Sequence, residues 1–294
     1  MPIKQTLVLL GLLMALIYQP VMAGKLPAHT QQIAEDVYSY GDPAKGYYSL
    51  FVVTKDGVVA IESVNTQHAK GLLKAITSVT SQPIRYLLHS HNHWDHAGGG
   101  KVFQDVGAKT LAHEEAYVWL KANPHKGVSL PSASWQGARK DIMLGGQTIE
   151  LHYLGMNHGL GMTVFRLPKQ KLVYIADLVT PKRVLFTIVP DFNIRETQRS
   201  LREIGQLDFD KAVFSHSPVG PVGSKQDVTE INQYIDDLRS AIYKEFKKGT
   251  PAMQIPGKVK LEKYQDWAMY NEWLALNAWR ILLDDHMGPF PWHP

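Results

Sequence analysis

The sequence predicts an α+β fold in which two β-sheets pack face to face with helices outside. Three observations lead there. Strand-like and helix-like segments recur in two similar rounds, near residues 47–112 and 142–215, with no visible sequence repeat. A chain of 294 residues with 45% hydrophobic and 20% charged positions has an ordinary globular composition and can build a sizeable core. Residues 24–294 contain no low-complexity stretch, charge block or obvious linker, so they read as a single domain. Two packed sheets covered by helices bury the apolar faces of such alternating elements.

The first round opens with β-rich runs at Tyr47–Thr54 and Val58–Glu62, separated by the hairpin signal Lys55-Asp56-Gly57. Asn65 can cap a helix that reaches about Thr80. Ile84–His89 reads as a short buried strand, Ala97 to about Val106 as a helix, and Thr110–Ala112 as a strand before a helix opened by His113-Glu114-Glu115. Asn123–Trp135, rich in Pro, Ser and Gly, reads as a surface loop. The second round has strands at Ile142–Leu144, Thr148–Leu154, Met162–Leu167 and Lys171–Ile175, turned by Gly145-Gly146 and Pro168-Lys169-Gln170. A helix at Ile194–Leu207 and a strand at Ala212–Ser215 close it. A C-terminal helical extension, about 224–286, follows as an amphipathic helix over Gln226–Lys247 and an aromatic-rich one over Leu261–Asp284. The aromatics Tyr264, Trp267, Tyr270, Trp273 and Trp279 read mainly as core, with one or two available to wall a pocket.

The first 23 residues read as a signal peptide. Lys4 is the only charge before Lys25, the apolar run Leu7 to Ile17 follows it, and Val21-Met22-Ala23 offers a small-residue cleavage site. The run is shorter than the roughly 20 residues a bilayer span needs, so no stable membrane insertion is expected after processing. Export together with the absence of cysteine points to a periplasmic or secreted protein with neither a disulfide framework nor a thiolate ligand. Removing Lys4 lowers the formal net charge of +4 by one, and the remaining basic residues are scattered. No nucleic-acid partner is expected on that basis.

The chemistry concentrates in Ser90-His91-Asn92-His93-Trp94-Asp95-His96-Ala97-Gly98-Gly99, with the spacing H-x-H-x-D-H. His91 and His93 alternate along an extended backbone, so both imidazoles can point to one side. Asp95 and His96 follow where the chain turns into a helix. Imidazole nitrogen and carboxylate oxygen are zinc ligands. Four such groups so close in sequence do not easily close on one tetrahedral ion. Two adjacent ions, each completed from distant residues, fit them better, and the glycines allow close backbone packing beneath.

This segment resembles the signature of the metallo-β-lactamase superfamily, and the resemblance continues in order from about Tyr47 to Asp227. His158 in Gly155-Met156-Asn157-His158-Gly159, Asp177 in Tyr174-Ile175-Ala176-Asp177-Leu178 and His216 in Phe214-Ser215-His216-Ser217-Pro218 stand where that family has its later ligands. The resemblance implies a four-layer αββα sandwich with the metals at one edge. It implies that His91, His93 and His158 hold one metal, that Asp95, His96 and His216 hold a second, and that Asp177 bridges them. Small residues depart from the usual pattern: Ala176 and the serines 215 and 217 replace common glycines, and Gly159 replaces a frequent threonine.

Other histidines compete less well. His113 reads as a helix cap or rim residue and His152 as a polar-face strand residue, while His29, His68, His125, His286 and His293 lack ligand-like spacing. Asp56 and Asp105 read as turn and helix-end residues. The implied function is an exported dinuclear hydrolase with two Zn(2+) per chain. A metal-bridging hydroxide would attack a small-molecule ester, lactone, thioester or related bond, with Asp95 and Asp177 as catalytic carboxylates. The compartment keeps β-lactam hydrolysis as an alternative. The same fold also admits a mononuclear iron oxygenase or a metal-binding accessory protein.

Overall fold

The computed structural model describes residues 26–288, so the expected signal peptide lies outside the described residues. The first sheet takes strands β1 (Thr30–Ala34), β2 (Val37–Tyr40), β3 (Ser49–Thr54), β4 (Gly57–Ile61), β5 (Ile84–Leu88), β6 (Lys109–His113) and β7 (Ala133–Trp135). They lie side by side in chain order. The second sheet takes β8 (Arg139–Leu144), β9 (Gln147–Tyr153), β10 (Thr163–Leu167), β11 (Leu172–Ile175), β12 (Lys211–Phe214) and β13 (Val222–Gly223), in reverse chain order. The helices are α1 (Thr66–Val79), α2 (Trp94–Ala97), α3 (Gly100–Gln104), α4 (Glu114–Ala122), α5 (Ile194–Gln206), α6 (Lys225–Lys247), α7 (Ile255–Lys258) and α8 (Tyr270–Met287).

Strand periodicity explains the layering. On β3 and β4, Leu50, Val52, Val59 and Ile61 join the core between the sheets, which also takes Ile149, Leu151 and Phe165 from the second sheet. The alternate residues Phe51, Val53, Val58 and Ala60 face the other way, against Ala69, Leu72 and Ile76 of α1. Successive side chains of a strand point to opposite faces, so both faces must be covered. The Tyr174 hydroxyl donates to Tyr48 O at 2.7 Å and ties the second sheet to the entry of β3.

Parallel pairing of β4 with β5 and of β11 with β12 brings the C-terminal ends of these strands to one edge. The loops that leave this edge carry the candidate ligands. Asn65 caps α1 as expected, its side chain accepting from His68 N at 3.0 Å. Among the described residues no helix is long and apolar enough to cross a membrane.

Four expectations are corrected. The helix expected over Ala97–Val106 is two short helices, because Gly98-Gly99 interrupts it. Gly99 has φ +76° and its Cβ position would lie 2.5 Å from Asn65 O, so this turn packs on the entry to α1. The loop expected at Asn123–Trp135 ends in strand β7, and β1 and β2 were not foreseen. The last helix begins at Tyr270, nine residues later than expected, after a 3-10 turn at Glu262–Tyr264 and a left-handed Met269.

Candidate metal centre

Seven side chains meet at that edge. His91 follows β5, and His93 is the N-cap of α2, which carries Asp95 and His96. His158 lies between β9 and β10, Asp177 just beyond β11 and His216 just beyond β12. All seven residues expected as ligands are brought together, in two groups that could each hold a metal ion: His91, His93, His158 and Asp177, and Asp95, His96 and His216.

Asp177 stands between the groups. Its Oδ2 is 2.9 Å from His158 Nε2, 3.2 Å from His91 Nε2 and 3.8 Å from His93 Nδ1. Its Oδ1 is 2.9 Å from His216 Nε2 and 3.2 Å from His96 Nε2. The residue has φ +52°, a left-handed conformation that aspartate tolerates better than bulkier residues. Burial opposes its charge, but His96 and His216 hold its carboxyl well below the usual range.

The nitrogens facing away from this centre have protein partners. His96 Nδ1 meets Glu62 Oε2 at 2.5 Å, His91 Nδ1 meets Ser90 Oγ at 2.7 Å, and His93 Nε2 meets Asp191 Oδ2 at 2.6 Å. Those bonds fix each ring and aim its other nitrogen inward. Inside, His96 Nε2 and His216 Nε2 face each other at 3.2 Å, and the buried His91 Nε2 has no hydrogen-bond partner. A buried polar atom without a partner is costly. Divalent metal would take the inward nitrogens as ligands, so this donor set fits it. Burial, with His93 and His96 close by, drives His91 well below its ordinary pKa and keeps it neutral, the state a ligand needs.

Four residues of the site were not foreseen. Glu62, fully buried just past β4, also accepts from Ser90 N at 2.6 Å through Oε1. Asp191 stands outside His93 and places Oδ1 3.3 Å from His158 Nδ1, so one carboxylate steadies two rings. The Tyr47 hydroxyl donates to Asp95 Oδ2 at 2.8 Å, and Arg183 lines the cavity beyond Asp177. Nothing in their spacing marks them. Gly159 has φ +63°, and its Cβ position would lie 2.7 Å from Asn92 Oδ1 and 3.2 Å from His93 Nε2, which excludes the threonine frequent at this place.

Two of the remaining histidines fall as read. The His113 ring accepts from Glu115 N at 3.4 Å as the cap of α4, and His152 contacts Glu150 at 3.0 Å. Two cavities open on the centre and share His93, Asp95 and Asp191. One, of about 630 Å³, is walled by Trp94, Trp119, Met156 and Leu160. The other, of about 690 Å³, is walled by Tyr47, Arg183, Leu185, Phe186 and Phe192. Trp273 of the aromatic helix packs on Phe186, ring centroids 5.2 Å apart, and so backs the second wall.

The sequence profile of the Metallo-beta-lactamase superfamily matches residues 43–216. The chain is 28% identical over 172 residues to the 2,4-dinitroanisole O-demethylase subunit alpha of Nocardioides sp. (strain JS1661). That match covers 58% of this chain and 52% of the relative, so it spans about half the relative's length. A metallo-beta-lactamase from Pontibacter korlensis is similar in structure, with a TM-score of 0.60 and 22% identity over 69% of this chain and 98% of that one. The sec-alkylsulfatase Pisa1 from Pseudomonas sp. has a TM-score of 0.68 and 15% identity over 88% of this chain and 50% of that one. The latter coverage is more than residues 1–223 alone could supply, so the similarity of fold extends into the C-terminal helices.

Proposed function

Since the chain belongs to the metallo-beta-lactamase superfamily, we propose that it is a dinuclear metal-dependent hydrolase acting on a small ester, lactone, thioester or related bond. We propose zinc as the metal, and export to the periplasm or exterior as the setting. One observation carries the dinuclear reading: the two oxygens of Asp177 face different histidine sets, at 2.9 Å from His158 and 2.9 Å from His216. A carboxylate placed in this way offsets the repulsion of two cations and sets their spacing.

His91, His93 and His158 would hold the first ion, Asp95, His96 and His216 the second. When bound, the ions supply an acidified water and an electrophile for the oxygen of the scissile group. The chain's own residues do the rest. Asp95 would orient the attacking water and take its proton, and the Tyr47 hydroxyl, donating to its Oδ2, fixes the plane of the carboxylate. Glu62 and Asp191 keep the imidazoles in place through the reaction.

A second reading rests on the Nocardioides relative, whose name describes an O-demethylase subunit. Releasing a methyl group from an oxygen can be oxidative, and a histidine and carboxylate set also suits iron. Elemental analysis of metallated protein separates the readings. Two zinc ions per chain, with turnover in a panel of esters, lactones, thioesters, phosphodiesters, sulfates and a chromogenic β-lactam, supports the hydrolase. One iron per chain, with no hydrolysis in the panel, overturns it. Mass spectrometry of exported protein should find Gly24 at the N-terminus, and an intact Met1 would count against export with cleavage.

A further inference from the structure

Arg183 is a cation that makes no ion pair among the described residues, although the charge of Asp177 is near enough to act on it. It follows Asp177 by six residues and lines the same cavity as Tyr47, Asp177 and Phe186. Its neighbour Lys182 has a partner, Glu230 at 2.5 Å. Arg183 has none of that kind: its Nη2 donates to the neutral Thr180 Oγ1 at 3.0 Å, and its buried Nε has no hydrogen-bond partner. The guanidinium is held in place. It lies 5.6 Å from the centre of the Trp273 ring, and its backbone pairs with Ala268. Burial lowers its pKa, and the nearby charge of Asp177 offsets the lost hydration only in part.

A desolvated guanidinium with an unused donor is costly to keep, and no packing need explains it, since an apolar side chain would fill the space more cheaply. A planar fork fixed over an aromatic ring is well suited to an oxyanion, carboxylate or sulfo group, bound through two N–H donors. The local charge points the same way. Asp95, Asp177 and Asp191 line this cavity, and two divalent ions would outweigh them. The loaded site with Arg183 beside it is then net positive.

We propose that Arg183 is a substrate-binding residue that holds an anionic oxygen group on the substrate, apart from the bond that is cleaved. This deepens the hydrolase reading and rests on it for the word substrate. The preferred substrate is then an amphiphilic anion, its charged end on Arg183 and its apolar body along Leu185 and Phe186. A neutral ester of the same shape is a poorer ligand.

Binding tests this without turnover. Benzoate, benzenesulfonate and the neutral benzamide are titrated calorimetrically into zinc-loaded wild type, Arg183→Met and Arg183→Lys. Metal content and melting temperature are measured in each. The expected result is that one or both anions bind wild type and benzamide does not, that Arg183→Met weakens anion binding at least tenfold with metal content unchanged, and that Arg183→Lys lies between. Which anion binds more tightly identifies a carboxylate or a sulfo group as the natural end. Anion affinity unchanged in Arg183→Met, binding of benzamide equal to that of benzoate, or no anion bound to wild type would each overturn the proposal. A hydrolase that fails every ester assay but still shows the Arg183-dependent anion binding would indict the reaction and leave the anion site standing.

Discussion

Arg280 on α8 donates from Nε to the carbonyl of Val189 at 3.1 Å, and its Nη2 donates to Phe192 O. One turn earlier, Asn277 Nδ2 donates to Leu185 O at 3.0 Å and to Thr187 O at 2.5 Å. The C-terminal helix thus grips four carbonyls of the loop that carries Arg183 and Asp191. That loop needs gripping. Thr187 and Val189 are β-branched and have φ of +46° and +43°, a conformation that costs about 1–3 kcal/mol per residue and persists only where the surroundings impose it.

Arg280→Met should therefore release the loop. Two buried carbonyls lose their donor, at about 1–3 kcal/mol each. We expect a loss of stability of about 2–4 kcal/mol, read by urea unfolding, with weaker metal binding at His93 and His158 because Asp191 loses its position. A variant as stable as wild type would show that the helix only covers the loop.

Asp177→Asn keeps the size and removes the charge between the two groups. On the proposed dinuclear reading, the second ion should weaken more than the first, since three histidines would still hold the first. Turnover should fall about a hundredfold, the usual order for losing one electrostatic element of a metal site. Asp95→Asn should cost at least as much, because it removes a ligand and a proton carrier together. Metal content and rate are measured side by side. Two retained metals at full activity in Asp177→Asn would remove Asp177 from the bridge.

Glu62 and Asp191 should act on different ions. Glu62 contacts His96 at 2.5 Å, and Asp191 contacts His93 at 2.6 Å. Glu62→Gln should lower affinity at the second group, and Asp191→Asn at the first, by about 10–100-fold each. Competitive zinc titrations with a chelator resolve the two steps. Equal weakening of both steps by either variant would mean that the carboxylates support the fold rather than particular rings.

Gly159→Ala forces a Cβ to within 2.7 Å of Asn92 Oδ1 at φ +63°. Asn92 Oδ1 accepts from Leu160 N at 2.6 Å, so it has little room to retreat. The substitution should cost at least about 1 kcal/mol from the backbone alone and should also lower metal affinity, as His93 is displaced. Thermal unfolding and metal content, each compared with wild type, are the measurements.

Much was already legible along the chain. Four of the seven candidate ligands fall within six consecutive residues, so residue type and spacing were enough to collect those, and the other three were reached through the resemblance to the metallo-β-lactamase superfamily. The unbroken apolar run Leu50-Phe51-Val52-Val53 likewise read as a strand from its β-rich composition, while the covering of both its faces is seen only in the structure. What only the tertiary structure decided lies far apart in sequence and is ordinary in type. Glu62 precedes His96 by 34 residues, and Asp191 follows His93 by 98. Polar alternation in Thr30–Ala34 was too weak to mark an edge strand, and a tyrosine, a glutamate or an arginine in a loop carries no periodic signal. Their roles come from the parallel pairing that brings several strand ends to one edge, and from α8, whose arginine and asparagine hold the loop beside them. Local spacing selected four of the candidate ligands and the family resemblance the other three. Long-range packing selected what steadies them and what faces the cavity, since those contacts exist only once the two sheets and the C-terminal helix have closed on one another.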